Sequence, residues 1–316
     1  MAVKTVLITG GLGCLGGGLA RYLIDTGYRV IIGSSRLDAQ LPNKLKQCSL
    51  IYTNFDDIET LNKACSNVDY IIHLATVNAQ QSEKHPELAK KVNSIGTGNL
   101  IRAGIKNKVG YFLYFSTAHV YGNPLMGQID ESTKPRPSHP YALTHKFAED
   151  FLLNAISDGV INGNIFRLSN SIGLPLVTEA NCWMLFVNDV CNQAITDRRI
   201  TINSNHNNER DFIPMNSVYE ISEYFLTNRI SASQPVFNVG SGTSYTLLEM
   251  AEIIACRCKV LFGYSPQIVF TDKSLAKSLK LRYGVDKLIT EMKYITNNDL
   301  EPSIDEILKF CQAELY

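Results

Sequence analysis

The chain has 316 residues, 45% of them hydrophobic, and its 30 basic and 30 acidic side chains cancel to a formal net charge of zero. This length can bury a large core, in one large domain or in two smaller ones. The sequence has no basic stripe and no acidic tail. This balance argues against nucleic acid or an anionic membrane surface as the main partner and favours a small diffusible substrate.

The N-terminus and the cysteines indicate the compartment. "MAVKTVLITGG" has one lysine and a very short apolar run, so it predicts neither a signal peptide nor a transmembrane helix. We therefore expect a cytoplasmic protein. The eight cysteines show no paired metal-ligand spacing, so we expect reduced thiols and no metal site.

Short apolar runs alternate with helix-length amphipathic segments through the first half of the chain. The predicted strands are, in order, TVLIT, RVIIG, LIYTN, VDYIIHLAT, GYFLYFST and GNIFRLS. Strands that are apolar throughout and separated by helices are typical of a parallel sheet covered on both faces. The pattern predicts an α/β fold built on a doubly wound parallel (Rossmann) sheet.

The regularity weakens beyond Arg167. The Asn-rich stretch TINSNHNNERDF predicts a long loop, and the helix SVYEISEYFLTN, the strand PVFNVG and the helix SYTLLEMAEIIACRC follow it. We expect residues 1–168 to form a dinucleotide-binding domain, to which residues 212–240 return. Residues 169–211 and 241–316 are expected to form a smaller, mixed C-terminal substrate lobe.

A glycine-rich turn joins the first predicted strand to the first helix. It places Gly10, Gly13 and Gly16 around Cys14 and Leu15. A tight turn whose backbone approaches a pyrophosphate, at the N-terminus of a helix, needs small residues at these spacings. The turn therefore predicts dinucleotide binding; the alternative is that the glycines serve only close helix packing.

The second predicted strand ends in Ser34, Ser35 and Arg36, where an NAD-preferring site would present a carboxylate to the ribose hydroxyls. Two hydroxyls and a guanidinium suit a 2′-phosphate instead. This ending favours NADP(H) over NAD(H), although an arginine after a strand can also be an ordinary solvated side chain.

Eight motifs follow one another along the chain: TGGLGCLG, HLAT, VNSIGTGNLI, FSTAHVYG, PYALTHKFAED, FRLSNSIG, RDFI and FNVGSG. In this order they resemble the extended short-chain dehydrogenase/reductase family, in its NAD(P)-dependent nucleotide-sugar epimerase, dehydratase and reductase branch. The resemblance covers nearly the whole chain. It implies a nucleotide-sugar substrate and allows a homodimer formed through helices of the Rossmann domain.

The resemblance also implies residue roles. Thr117 corresponds to the residue that hydrogen-bonds the substrate oxygen, and Tyr141 to the one that exchanges its proton. Asn93 corresponds to a member of the supporting network. Further positions expected at the cofactor are Leu15, Asn54, Phe55, Leu74 and Ala75, and those expected at the substrate are Ala118, His119, Asn170 near the phosphates and Arg210 at the diphosphate.

One position departs from the family pattern. The family has a lysine four residues after the tyrosine, which binds the nicotinamide ribose and lowers the tyrosine pKa, whereas this chain has His145 there and Lys146 next. On a helix the fourth residue shares a face with Tyr141, and the fifth is turned roughly 140° away. We therefore expect His145 to take the place of the lysine, as a neutral hydrogen-bond donor to the ribose.

The residues after Thr117 narrow the reaction. Dehydratases that resemble this chain carry an Asp-Glu pair there, and the epimerase-reductases of the fucose route carry a cysteine at the Ala118 position. Ala118 and His119 match neither group. We expect NADP-dependent reduction of a 4-keto(-6-deoxy) nucleotide sugar at C4, with a 4-epimerase, or a catalytically impaired NADP-binding regulatory or scaffold protein, as alternatives.

Overall fold

The computed structural model describes residues 2–177, 179–180, 182–230, 233–271, 279–293 and 297–314. The strands are β1 (Thr5–Thr9), β2 (Arg29–Ser34), β3 (Ser49–Tyr52), β4 (Tyr70–His73), β5 (Tyr111–Thr117), β6 (Gly127–Ile129), β7 (Gly163–Leu168), β8 (Asn170–Ile172), β9 (Arg199–Ile202), β10 (Glu209–Pro214), β11 (Val236–Val239), β12 (Ser244–Thr246), β13 (Gln267–Phe270) and β14 (Leu281–Tyr283).

The α-helices are α1 (Gly16–Asp25), α2 (Ile58–Cys65), α3 (Ala79–Lys84), α4 (Pro86–Ala89), α5 (Thr97–Lys106), α6 (Pro140–Ser157), α7 (Phe186–Thr196), α8 (Met215–Asn228), α9 (Leu247–Phe262), α10 (Asp286–Met292) and α11 (Glu301–Glu314). A π-helical segment, Lys90–Gly96, joins α4 to α5, and short 3₁₀ helices cover Asn43–Leu45 and Ala118–Tyr121. In the described part of the chain, no helix is long and apolar enough to span a membrane.

The chain folds into two compact units. The first comprises Met1–Pro124, Thr133–Leu168 and Tyr219–Phe237, and the second comprises Leu125–Ser132, Ser169–Val218 and Asn238–Tyr316. The sequence pattern predicts residues 125–132 in the first domain and residues 212–240 in the segment that returns to it. Residues 125–132, 212–218 and 238–240 lie in the second unit instead, where β6 pairs in parallel with β14 and β10 pairs with β8 and β12.

The first unit is built on the predicted doubly wound sheet, which confirms the fold class. Its strand order is β11-β7-β5-β4-β1-β2-β3, and the pairs from β7 to β3 are parallel. On one face, strand residues such as Leu7, Ile71 and Phe112 pack against α2, α5 and α6. From β1, the next strands β2 and β3 are added on one side, and β4, β5 and β7 are added on the other. The boundary between β1 and β4 is therefore the switch point, where sheets of this kind bind ligands.

The second unit has a mixed three-stranded sheet in the order β12-β10-β8 and a core formed with α7, α9 and α11. The predicted loop over TINSNHNNERDF is wrong at both ends, because β9 extends to Ile202 and β10 begins at Glu209. The polar side chains of β10 do not prevent strand formation, since the backbone pairs with neighbours on both sides.

Candidate active site and cofactor loop

The glycine loop between β1 and α1 has no room for a side chain at Gly10 or at Gly16. Gly10 adopts φ +73°, and a Cβ there would lie 2.7 Å from the amide nitrogen of Ala75. A Cβ on Gly16 would collide with the carbonyl oxygen of Gly10 and lie 2.7 Å from the Cα of Gly11. The backbone at the start of α1 is therefore bare, which is the shape that a pyrophosphate needs at a helix N-terminus.

The other residues of this loop and of the β4 end lie beside those glycines. Gly13 donates its N–H to the Gly10 carbonyl at 2.9 Å, Cys14 is partly buried, and Leu15 precedes α1. Leu74 donates its N–H to the Thr9 carbonyl at 3.1 Å, which holds the end of β4 against the end of β1. The structure thus brings these predicted cofactor residues together at the switch point.

The end of β2 carries no carboxylate among Ser34, Ser35 and Arg36, of which Ser35 and Arg36 are exposed. Ser34 Oγ accepts the N–H of Arg36 at 3.2 Å, so the turn closes on itself. An exposed guanidinium at this position can pair with a phosphate.

Two predicted cofactor residues follow β3. Asn54 accepts the N–H of Asp56 through Oδ1 at 3.1 Å and so forms a turn. Phe55 is buried; its carbonyl accepts the side-chain amide of Asn99 at 2.8 Å, and its ring lies 5.6 Å from that of His73. The side chain of Phe55 therefore belongs to the core.

Thr117 ends β5 and is almost fully buried. Its Oγ1 accepts the backbone N–H of His119 at 3.2 Å, which caps the 3₁₀ helix that begins at the buried Ala118. A hydroxyl that accepts one hydrogen bond can still donate its own proton. The proton of Thr117, at the carboxyl end of the sheet, is therefore not used by this contact.

Tyr141 and His145 lie one turn apart at the start of α6, with ring centroids 4.2 Å apart. The helix begins here because Pro140 occupies its first position and His139 Nδ1 accepts the N–H of Tyr141 at 3.2 Å. His145 is buried, whereas Lys146 forms an ion pair with Asp150 on the next turn. The periodicity argument thus correctly places His145, and not Lys146, beside Tyr141.

A network of buried polar groups holds this turn of α6. Asn93 donates from Nδ2 to Thr144 Oγ1 at 3.2 Å, and Thr144 Oγ1 lies 2.9 Å from the Tyr141 carbonyl. Asn93 also binds both backbone groups of Val77. Asn93 lies in the π-helical segment, a distortion that is common at functional sites.

Three further polar side chains lie in this region, and the sequence pattern predicts no role for them. His73 Nε2 lies 2.8 Å from Thr97 Oγ1, which donates to the carbonyl of Asn93 at 2.7 Å, and Thr76 Oγ1 lies 3.5 Å from His145 Nε2. Thr76 and His73 lie within the motif HLAT, but only the folded structure brings Thr76 to α6 and His73 to α5.

Burial shifts the pKa of both aromatic partners on α6 further toward the uncharged form. It raises the pKa of Tyr141 to about 12, because the phenolate would lose its hydration. Burial is also the main reason why the pKa of His145 falls to about 4, with a smaller lowering from His119 and an opposing effect of the hydrogen bond to the Tyr141 carbonyl. The pair is therefore a protonated phenol beside a neutral imidazole.

The predicted substrate residues Asn170 and Arg210 lie in the second unit. Asn170 Nδ2 donates to the backbone carbonyl of Asp211 at 2.8 Å. The guanidinium of Arg210 lies 5.7 Å from the ring centroid of Phe186, and burial lowers its pKa. Among the described residues no carboxylate pairs with Arg210, so an anionic ligand would supply the missing counter-charge.

The fold and these motifs agree with a known family. A model of the NAD dependent epimerase/dehydratase family matches residues 6–240, and the chain belongs to this family. It is 24% identical over 279 residues to a UDP-glucose 4-epimerase of Halalkalibacterium halodurans, a match that covers 82% of this chain and 80% of the relative.

Other curated relatives match over a shorter region. A UDP-glucose 4-epimerase of Schizosaccharomyces pombe is 32% identical over 162 residues, which cover 47% of this chain and 46% of the relative. The chain also spans less than half the length of the plant UDP-arabinose 4-epimerases that it matches.

The fold is shared with a solved structure of the UDP-N-acetylglucosamine 4-epimerase of Methanobrevibacter ruminantium, in complex with UDP-N-acetylmuramic acid. The TM-score is 0.84 at 23% sequence identity, over 99% of this chain and 100% of the other.

Proposed function

We propose that the chain is a nucleotide-sugar 4-epimerase with a bound nicotinamide dinucleotide. The curated relatives matched over most of their length carry the name UDP-glucose 4-epimerase, which favours a UDP-sugar as substrate. The sequence alone favours net reduction of a 4-keto sugar, with epimerisation as the alternative. These relatives support epimerisation better than reduction.

The observation that carries the proposal is that three features lie at the carboxyl end of one parallel sheet. The glycine loop follows β1, Thr117 ends β5, and the first turn of α6, which carries Tyr141, is joined through Asn93 to the backbone that follows β4. The glycine loop would hold the pyrophosphate of the dinucleotide, whose nicotinamide supplies hydride exchange at C4. Thr117 would donate a hydrogen bond to the C4 oxygen, and Tyr141 would exchange the proton of that oxygen. Arg210 would neutralise the diphosphate of the sugar nucleotide.

Net reduction of a 4-keto sugar stays as a second candidate because of one observation. A protonated Tyr141 beside a neutral His145 is ready to donate a proton and is poorly suited to remove one. The end of β2 agrees with a reductase, since Arg36 without a carboxylate favours NADPH. We keep NADP as the proposed cofactor on this ground.

The two candidates differ in what is consumed. An epimerase interconverts UDP-glucose and UDP-galactose, or the corresponding pentose pair, without net change in the cofactor, whereas a reductase oxidises one NADPH for each 4-keto sugar reduced. Chromatography of the nucleotide sugars, together with NADPH absorbance, separates the outcomes. Absence of turnover with every sugar, while the dinucleotide still binds, would contradict both candidates.

The cofactor assignment has its own test. We expect Arg36→Asp to reverse a preference for NADPH over NADH, because it replaces the only cation in the Ser34–Arg36 turn by a carboxylate. Lys46→Asp, which makes the same charge change at another exposed site of the first unit, is the matched control. Equal affinity of the parent for both cofactors in a calorimetric titration would refute the assignment.

A further inference from the structure

The orientation of His145 fixes which of its ring nitrogens carries the proton. Nδ1 lies 2.9 Å from the carbonyl oxygen of Tyr141. A carbonyl oxygen can only accept, so Nδ1 must be the protonated nitrogen. In the neutral imidazole Nε2 then keeps its lone pair. This is the reverse of the donor role that the sequence analysis expected of His145.

The surroundings of Nε2 leave its lone pair available. The Oγ1 of Thr76 lies 3.5 Å from Nε2 but donates its one proton to the carbonyl of Val77 at 3.2 Å, so the tautomer is determined at Nδ1. The His145 side chain is only 2% exposed, and its ring is stacked on that of Tyr114 at 6.1 Å. The ring is thus held in place by contacts on both sides.

The ionisable groups around His145 do not favour an imidazolium. Tyr141 lies on its own helix, Tyr114 on β5, His119 in the 3₁₀ helix after β5, and His73 on β4. Burial is the main effect that disfavours a positive charge at His145, and His119 disfavours it further.

We propose that His145 presents a lone pair, through Nε2, to a ligand hydroxyl in the active site, and that Tyr141 therefore remains a protonated phenol without a neighbouring cation. The ligand group is a hydroxyl donor, such as those of the ribose of a nicotinamide dinucleotide. A lysine at this position would instead bring a donor and a permanent positive charge. The identity of the ligand group rests on the proposed function, whereas the protonation state does not.

The first experiment observes the tautomer directly. The full-length protein is labelled with ¹⁵N-histidine, and long-range ¹H–¹⁵N correlation spectra are recorded from about pH 6 to about pH 8, across the unperturbed histidine pKa. His145→Gln assigns the signals. We expect protonated Nδ1 and unprotonated Nε2 at every pH, and a shift of the Nε2 resonance when NADP⁺ is added. A proton on Nε2, alone or together with Nδ1, would overturn the proposal.

The second experiment measures the effect on Tyr141. Ring-labelled ¹³C-tyrosine reports the Tyr141 pKa, with Tyr141→Phe for assignment. We expect His145→Lys to lower this pKa by at least about one unit, a tenfold change in the phenolate fraction. His145→Gln and Lys146→Gln, which add no charge near the phenol, should leave it within about 0.3 units. If the Tyr141 pKa is the same in the parent and in His145→Lys, the proposal that Tyr141 stays protonated because it lacks a neighbouring cation is contradicted.

Neither measurement requires a sugar substrate. If no nucleotide sugar is turned over but the expected tautomer is found, the proposed function fails and the assignment of His145 stands. If epimerisation is found and Nε2 of His145 is protonated, the proposed function stands and the assignment of His145 fails.

Discussion

Tyr141 and His145 are both uncharged at neutral pH, and burial strengthens this state because it raises the pKa of the phenol and lowers that of the imidazole. Arg210 also lies in a partly buried position, but it keeps its charge and lacks an acidic partner among the described residues. Tyr141, His145 and Arg210, which the sequence pattern predicts at the cofactor and the substrate, are thus among the residues whose pKa burial shifts.

Arg210 gives the first prediction. We expect Arg210→Ala to weaken binding of a UDP-sugar by about 1.5–3 kcal/mol, because a charge-assisted hydrogen bond to the diphosphate is lost. Affinity for the dinucleotide should not change. The control is Arg199→Ala, which removes an exposed arginine of the same unit. Calorimetric titration with UDP measures both variants, and an unchanged affinity in Arg210→Ala would make this arginine a structural one.

The buried histidines predict a loss of stability in acid. The pKa of His73 is lowered to about 3 and that of His145 to about 4, mainly by burial. Below the unperturbed pKa of about 6.5 the unfolded chain therefore binds more protons than the native one, and the free energy of unfolding falls as the pH falls. At about pH 5 the expected loss is about 2 kcal/mol for each histidine.

Denaturant unfolding at a series of pH values measures this loss. The quantity to compare is the change in the free energy of unfolding with pH, and not its value at one pH. His73→Gln should remove about half of the decrease in this free energy between about pH 6.5 and about pH 5. His85→Gln, which changes an exposed histidine, should leave the slope as in the parent. A stability that is flat over this range would show that the two histidines titrate normally.

Among the elements, the β1–α1 turn has the least freedom to change. We expect Gly16→Ala to lower dinucleotide affinity at least about tenfold, because its Cβ would displace the Gly10 backbone that forms the phosphate loop. Gly110→Ala is the control, since its Cβ would meet only the Asp69 carbonyl, at 3.4 Å. Calorimetric titration with NADP⁺ and NAD⁺ measures the effect, and normal affinity in Gly16→Ala would mean that the loop does not bind the phosphates.

Local patterns were sufficient for most of the first unit. Its strands are apolar on both faces and its helices are amphipathic, so the period of the pattern identifies each element. The glycine spacing located the turn at the switch point, and helical periodicity placed His145 beside Tyr141. Each of these features depends on residues that are close in sequence.

The features that sequence reasoning missed depend on distant residues. The pairing of β6 with β14 joins segments about 150 positions apart, and β10 forms in a polar stretch because its neighbours supply backbone partners. The tautomer of His145 is set by the Tyr141 carbonyl, and the burial of Phe55 by its packing against Gly96 and His73. No periodicity in the sequence encodes such contacts.

For the protein as a whole, the distribution of exposed apolar side chains bears on assembly. On α6 Leu143, Phe147 and Phe151 follow one another at four-residue intervals, and all three are exposed, Phe147 to 56%. The ring of Phe151 also lies over Gly98 of α5, and Ile95, one turn before Gly98, is exposed as well. These residues form an apolar patch across two adjacent helices of the first unit, and such a patch is typical of an interaction site.

We expect this patch to hold two copies of the chain together through a two-fold interface, as the sequence resemblance also allows. Phe147→Glu should then raise the dimer dissociation constant at least about 100-fold, because a two-fold axis places the new charge in the interface twice. Leu37→Glu, which alters another highly exposed apolar residue of the same unit, should have no effect. Analytical ultracentrifugation over a range of protein concentrations measures both variants beside the parent. A parent that is monomeric at every concentration, or a dimer that Phe147→Glu leaves intact, would place the patch outside any such interface.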